Sequence, residues 1–433
     1  MPTIEWIYMN RNRQIEENRG NRWITVSLGA DVSEGYVLRY ELHRTEHFEF
    51  TAMAMGLETP QQIGERLAAQ VIATLDVRDE QPDRIACDLY PKFPTTYAAE
   101  VLSEHYDVPM LRMQKCHRAL LDAMDRRENV LGVCLDDLSY GSDGTLWGGE
   151  ILEISGEGFT RLASIHPYQL IGTNMELHSS TPWQTAVSML YDLARMSHNE
   201  DEAIRDFVAK QEASEQVHLL DLCSLNDARA QYIAQDRNKN TTRSTAASGL
   251  FDAAAAILGF QRISISTGRT PMEALTEAAE AFEHNRKSKS QIDALYAKLE
   301  KLIAAAEEMD DPTLEPGDLW EDTDDGAFSE TSGDDSPDIL HSEQLIRLLA
   351  DERIRYLTSL GKRNYDHPLN LKKPDDGRSD DNNRLLAWFL LDALATLFIQ
   401  YCKKYTGSDI VLAGYFLNGG FLQTRFKENS KNK

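Results

Sequence analysis

The chain has 433 residues and is 42% apolar, more than one hydrophobic core usually holds, so two or three lobes are expected. No apolar run reaches the ~18 residues of a membrane-spanning helix, and Met1–Gly20, with Arg11, Arg13, Glu16 and Glu17, lacks the apolar stretch of a secretory leader. A net charge of −25 repels phosphate and argues against nucleic acid as a partner, while five cysteines (Cys87, Cys116, Cys134, Cys223, Cys402) without CxxC spacing suggest a reducing cytoplasm and no thiolate zinc site.

The first 22 residues read as a polar extension. The run RWITVSLGAD (Arg22–Asp31) predicts a strand and turn, and Gly35–Leu42 and Thr45–Thr51 continue it as a meander. Ile63, Leu67, Val71 and Leu75 form a helical stripe within Pro60–Leu75. A short buried-type strand, Arg84–Tyr90, precedes a helix over Thr95–Tyr106. Val130–Leu135 predicts another strand, Asp136–Gly144 a turn-rich loop, and Thr145–Ile154 and Phe159–Ser164 further strands. From Pro182 to about Leu302 the pattern is mostly helical, with an Ala-rich helix at Leu250–Leu258. Glu307–Asp338 holds fourteen Asp and Glu and no Lys or Arg; its composition predicts a solvated, disordered insertion, with docking to a basic partner as the other reading. Helices over Ser342–Leu360 and Leu385–Tyr401 enclose a polar loop, Asn364–Asn382, and DIVLAGYFL (Asp409–Leu417) predicts a last strand. The expected organisation is a first α/β lobe over 23–166, the mostly helical part of a second over 167–306, the insertion over 307–338 and the remainder of the second lobe over 339–433.

Several residues carry candidate chemistry. Asp136 follows a buried strand, at the carboxyl end where α/β folds bind ligands. Ser139, Tyr140, Gly141, Asp143 and Gly144 suit either a ligand loop or a plain surface turn. Asp252 could face a sugar hydroxyl or serve as a first-turn helix acid. Gly414, Gly419 and Gly420 follow the last strand and suit a helix-entry turn, and His117 suits a residue that caps or packs a helix.

Several segments together resemble the carbamoyl-transfer domain of the HypF hydrogenase-maturation proteins. They are DLYPKFPTTYAAE (Asp88–Glu100), the approach Pro109-Met110 to Gln114, and LDDLSYGSDGTLWGGEIL (Leu135–Leu152). Tyr140–Glu150 is close to that family's Y-G-x-D-G-x-x-W-G-G-E segment. Leu28–Asp31, Pro182-Trp183, Leu250–Ala253, Met272-Glu273 and Gly419–Gln423 resemble further family segments, so the likeness runs from about Trp23 to Phe426. It implies an α/β, two-lobed actin-like or sugar-kinase-like (ribonuclease-H-like) fold with a helical insertion. It also implies ATP or carbamoyl adenylate in the cleft, held by Ser139, Tyr140, Gly141, Asp143, Gly144, Asp252, Glu273, Gly419 and Gly420. The activity implied is carbamoyl transfer to the thiol of a partner protein in nickel–iron hydrogenase maturation, with a separate adenylate-forming protein. The family's metal histidines correspond to Lys115 and Ala119, which leaves Asp136 and His117 and argues against a divalent metal such as zinc or iron. The N-D-G-G motif that completes that metal site is not among the 433 residues, and the family's G-R is Ser248-Gly249 here. A catalytically degenerate member acting as a nucleotide-binding or regulatory subunit is the alternative. The related tRNA threonylcarbamoyl-transfer proteins and the sugar kinases match the motifs less well.

Overall fold

A computed structural model describes residues 23–29, 35–40, 44–50, 58–124, 130–155, 158–171, 182–196, 242–260, 269–284, 289–309, 337–364, 381–405 and 409–431. The polar extension, Cys223, most of the acidic insertion and most of the polar loop after residue 364 lie outside them.

The chain forms two compact units. In the first, strands β1 (Ile24–Leu28), β2 (Tyr36–Tyr40) and β3 (Arg44–Phe48) make the expected meander. Strands β4 (Arg84–Asp88) and β5 (Met110–Met113) add to it in parallel, giving the order β3-β2-β1-β4-β5. Helix α1 (Pro60–Arg78) is set by a capping box in which Thr59 and Gln62 each accept the other's backbone N–H, with Pro60 at its first position. Its stripe, Leu67, Val71 and Leu75, packs with Val26, Leu38, Ile85 and, from helix α2 (Pro94–Tyr106), Ala98 and Leu102. Helix α3 (Lys115–Ala123), with Gln114 as N-cap, was not legible as an element, nor was β5.

The second unit holds a seven-stranded sheet. Strands β6 (Val130–Tyr140), β7 (Leu146–Ser155) and β8 (Gly158–Ile165) supply its long members. The short β9 (Tyr168–Leu170), β10 (Thr242–Ser244) and β11 (Asp338–Leu340) join its margins, and β12 (Asp409–Ala413) pairs in parallel with β6. Strands β6 to β8 pair into this second sheet, while Ser139–Gly141 and Ser155–Gly158 group with the first unit. The loop expected at Asp136–Gly144 also shrinks, since β6 continues as strand to Tyr140.

Helices α4 (Pro182–Met196), α5 (Ala247–Leu258), α6 (Pro271–His284), α7 (Lys289–Met309), α8 (Glu343–Asn364), α9 (Asp381–Cys402) and α10 (Gly420–Lys431) complete the second unit. The two ends of the acidic insertion are therefore ordered, in α7 and β11. Helix α5 is almost wholly buried apart from Ser248 and Asp252, the pattern of a helix enclosed by its own protein. Helix α9 is long and apolar enough to cross a membrane by composition, yet 83% of its most apolar window is buried here, against α6 and α10 among others.

Candidate functional site

In the second unit, the parallel strands β6 and β12 stay in register to Cys134 and Ala413, so Gly414, just past the carboxyl end of β12, sits beside Leu135-Asp136, midway along β6. Gly414 has φ +97, and a Cβ there would lie 2.3 Å from the Leu135 carbonyl oxygen, so only glycine fits. The chain then makes a 3₁₀ turn (Tyr415–Leu417) and enters α10 through Gly419 (φ +104) and Gly420 (φ +73). No atom lies within 4 Å of a Cβ built at either of these two, so they face open space.

Asp136 is buried, and its Oδ1 accepts the backbone N–H of Asp137 at 2.8 Å. Asp137 is exposed, and its Oδ1 accepts from the N–H of Leu138 (2.8 Å) and the hydroxyl of Ser248 (2.7 Å). Asp252 follows Ser248 by one turn of α5. Burial, then repulsion from Asp137, pushes its carboxyl up to about 8, so it is largely protonated at neutral pH. Helix α5 begins at Ala247, which places Asp252 in the second turn and removes the first-turn dipole explanation.

The W-G-G-E segment has a structural reason. A Cβ on Gly148 would meet the carbonyl oxygens of Asp136 and Asp137 at 2.7 Å and Ala246 Cα at 2.9 Å; one on Gly149 would meet the Thr245 carbonyl at 2.6 Å. The two glycines thus let β7 pass closely between β6 and the entry to α5. Glu150, fully buried, accepts from Arg161 Nε (2.8 Å), from the N–H groups of Gly148 (3.2 Å) and Gly149 (3.4 Å) and from the Thr245 hydroxyl. Arg161 also donates to Asp143 Oδ2 at 2.9 Å and stacks over Trp147 at 4.1 Å. The Asp143 carboxylate further accepts from Trp147 Nε1 (2.9 Å) and from the N–H and hydroxyl of Thr145 (2.9 and 2.7 Å). Asp143 thus braces its own loop, while Gly144 (φ +78) turns the chain in open space. Arg161 and Thr245 were missed in the sequence because their partners lie on other strands.

Gly249 stands where the resembling family has arginine. A Cβ there would lie 2.0 Å from the Tyr168 hydroxyl, which itself donates to the Ala246 carbonyl, so no larger side chain has room. Glu273 is exposed at the start of α6, where it forms a capping box with Thr270: its carboxylate accepts the Thr270 N–H, and the Thr270 hydroxyl accepts the Glu273 N–H at 3.2 Å.

Ser139, Tyr140 and Gly141 group with the first unit, together with His117. Gln114 donates to Ser139 Oγ at 3.0 Å and accepts the His117 N–H at 3.0 Å. Tyr140 stacks on Tyr90 (5.2 Å, 9°), and burial, then Tyr90, raises its hydroxyl above the usual phenol range. Asp88, fully buried at the end of β4, accepts the Tyr90 N–H at 2.9 Å. The sequence-selected residues thus form two groups, one in each unit, with Asp136, Asp143, Gly144, Asp252, Glu273, Gly419 and Gly420 in the second. A metal does not fit the side chains described: Ala119 has no donor, Lys115 is a cation, and among the described residues no three His, Cys, Asp or Glu gather as a metal site.

Residues 132–318 match the family described as carbamoyltransferase, Kae1-like domain, second subdomain. The carbamoyltransferase HypF homolog of Cupriavidus necator is 34% identical over 188 residues, 43% of this chain and 43% of that protein. The carbamoyltransferase HypF of Rhizobium leguminosarum bv. viciae is 31% identical over 223 residues, 50% of this chain and 26% of that protein. Full-length HypF, crystallised in a phosphate- and nucleotide-bound form, superposes over 94% of this chain and 50% of its own, with a TM-score of 0.57 at 17% identity. The T. kodakarensis HypF structure gives 0.59 over 95% and 44%, also at 17% identity. The chain therefore spans less than half the length of these two relatives. Its fold is mixed α/β, with two sheets and flanking helices, and it is shared with these HypF structures. Over residues 132–318 the chain is similar to the carbamoyltransferase domain of HypF proteins.

Proposed function

We propose that this chain holds an adenine nucleotide, ATP or carbamoyl adenylate, at the carboxyl end of β12 beside β6, and passes the carbamoyl group of the latter to a thiol of a partner protein in nickel–iron hydrogenase maturation. The observation that carries the reading is the pair of open, left-handed glycines, Gly419 and Gly420, at the N-terminus of α10 beside the pinned Gly414. Their missing side chains let a phosphate approach the helix N-terminus, whose N–H groups favour an anion. Protonated Asp252 donates a hydrogen bond to a ribose hydroxyl. In the transfer, the partner's thiolate sulfur attacks the carbamoyl carbon. The S–C bond forms, the C–O bond to phosphate breaks, AMP leaves with that electron pair, and the thiol proton passes to solvent. No step is routed through a metal.

A second reading, a nucleotide-holding or regulatory subunit that transfers nothing, is favoured by Lys115 and Ala119 at the metal positions and by the exposed charge of Asp137. Calorimetric titration of ATP into the full chain, with and without zinc or iron, separates the cases when followed by a thiol-carbamoylation assay read by mass. Binding without metal, followed by carbamoyl transfer, supports the enzyme. Binding without transfer supports the holding subunit, and no binding under any condition rejects the site.

A further inference from the structure

We infer that Tyr415 is the base-stacking platform of this site; the inference rests on the nucleotide reading above. Among the described residues only four large apolar or aromatic side chains are exposed, and Tyr415, at 63%, is the only aromatic one. Its place is fixed by its neighbours. Gly414 before it is locked against Leu135, and the turn is closed by the N–H of Leu417 on the Gly414 carbonyl (3.0 Å) and that of Asn418 on the Tyr415 carbonyl (3.4 Å). Gln423 Nε2 donates to the Leu417 carbonyl at 2.7 Å and ties the same turn to α10. The Tyr415 ring stands edge-on to Phe416 at 5.3 Å, and Phe416 edge-on to Phe251 at 4.9 Å.

This relay connects the exposed ring to the residue next to Asp252 and leaves it four residues from Gly419, on one short turn. Phe416 and Phe251 account for themselves as packing; the exposed ring does not, because burying it against its own chain would have been favourable. A rigid, exposed aromatic beside a glycine-lined helix N-terminus provides what a nucleotide needs besides its phosphate contacts, a flat surface for the base. Nothing in the local pattern marks Tyr415 out, since it lies in an apolar run that reads as strand.

The test compares ATP with inorganic tripolyphosphate on the full chain and on Tyr415→Ala, Tyr415→Phe and Tyr415→Trp. Tyr415→Ala is expected to weaken ATP about tenfold and leave tripolyphosphate unchanged. Tyr415→Phe is expected to keep wild-type ATP affinity, and the new indole of Tyr415→Trp to be quenched by ATP but not by tripolyphosphate. Wild-type ATP affinity in Tyr415→Ala, or equal losses for both ligands, overturns the platform while the nucleotide reading stands. Failure of the unmodified chain to bind ATP overturns both.

Discussion

The hydroxyl of Ser248 donates to Asp137 Oδ1 at 2.7 Å, a bond that links β6 to the first turn of α5. It also holds a carboxylate charge near Asp252, one turn further along the helix. The local field is acidic where a phosphate reading would ask for a cation. Protonation of Asp252 is what removes one of those charges at neutral pH.

A stability profile follows from that shift. The Asp252 carboxyl lies at 3.8 when unperturbed and at about 8 in the folded chain, so between these values the native state binds the extra proton. Stability therefore falls as pH rises through this window and levels off above it. Asp252→Asn abolishes the decline from this residue: equal to wild type near pH 4, it is more stable at pH 9 by on the order of 3 kcal/mol after solvent screening. Thermal melts across that range check it, and parallel curves for the two proteins would contradict it. Asp137→Asn, which removes the second cause of the shift, moves the decline to lower pH.

The glycines separate into two kinds. Gly148→Ala and Gly414→Ala force a Cβ against backbone oxygens and are expected to destabilise the fold by about 1–3 kcal/mol or more. Gly419→Ala meets nothing and costs only its left-handed backbone, about 1–2 kcal/mol. The predicted signature of a ligand site is that Gly419→Ala loses ATP affinity out of proportion to its stability loss. Paired melting and titration measurements decide it.

The meander, the stripe of α1 and the Ala-rich α5 were legible because each places apolar residues at a strand or helix period over a full element. The three-residue strands β9, β10 and β11 were not, since three residues carry no period and each is defined by its partners. The end of β6 was misread for a related reason. Asp136-Asp137 looks like a turn, but close approach of the Gly148-Gly149 backbone keeps it in the sheet. Of the site, the motif glycines were visible as residues, but their division into packing glycines and open glycines depends on neighbours distant in sequence. The split of Ser139–Gly144 between two units was equally invisible, because nothing in a six-residue stretch marks a change of unit.

Arg161 offers the sharpest structural prediction. Its guanidinium satisfies Glu150, which is fully buried, and Asp143, and covers the face of Trp147. Arg161→Met leaves the Glu150 charge buried without its cation and is expected to cost about 3–5 kcal/mol. Arg161→Lys keeps a charge but cannot reach two carboxylates and stack in one geometry, so it recovers only part of that loss. The double variant Arg161→Met with Glu150→Gln should be more stable than Arg161→Met alone, because it removes the stranded charge as well as the pair. Denaturant melts of the three proteins test the order. If the double variant is no more stable than Arg161→Met, the cost lies in the lost stack on Trp147 and not in the buried carboxylate.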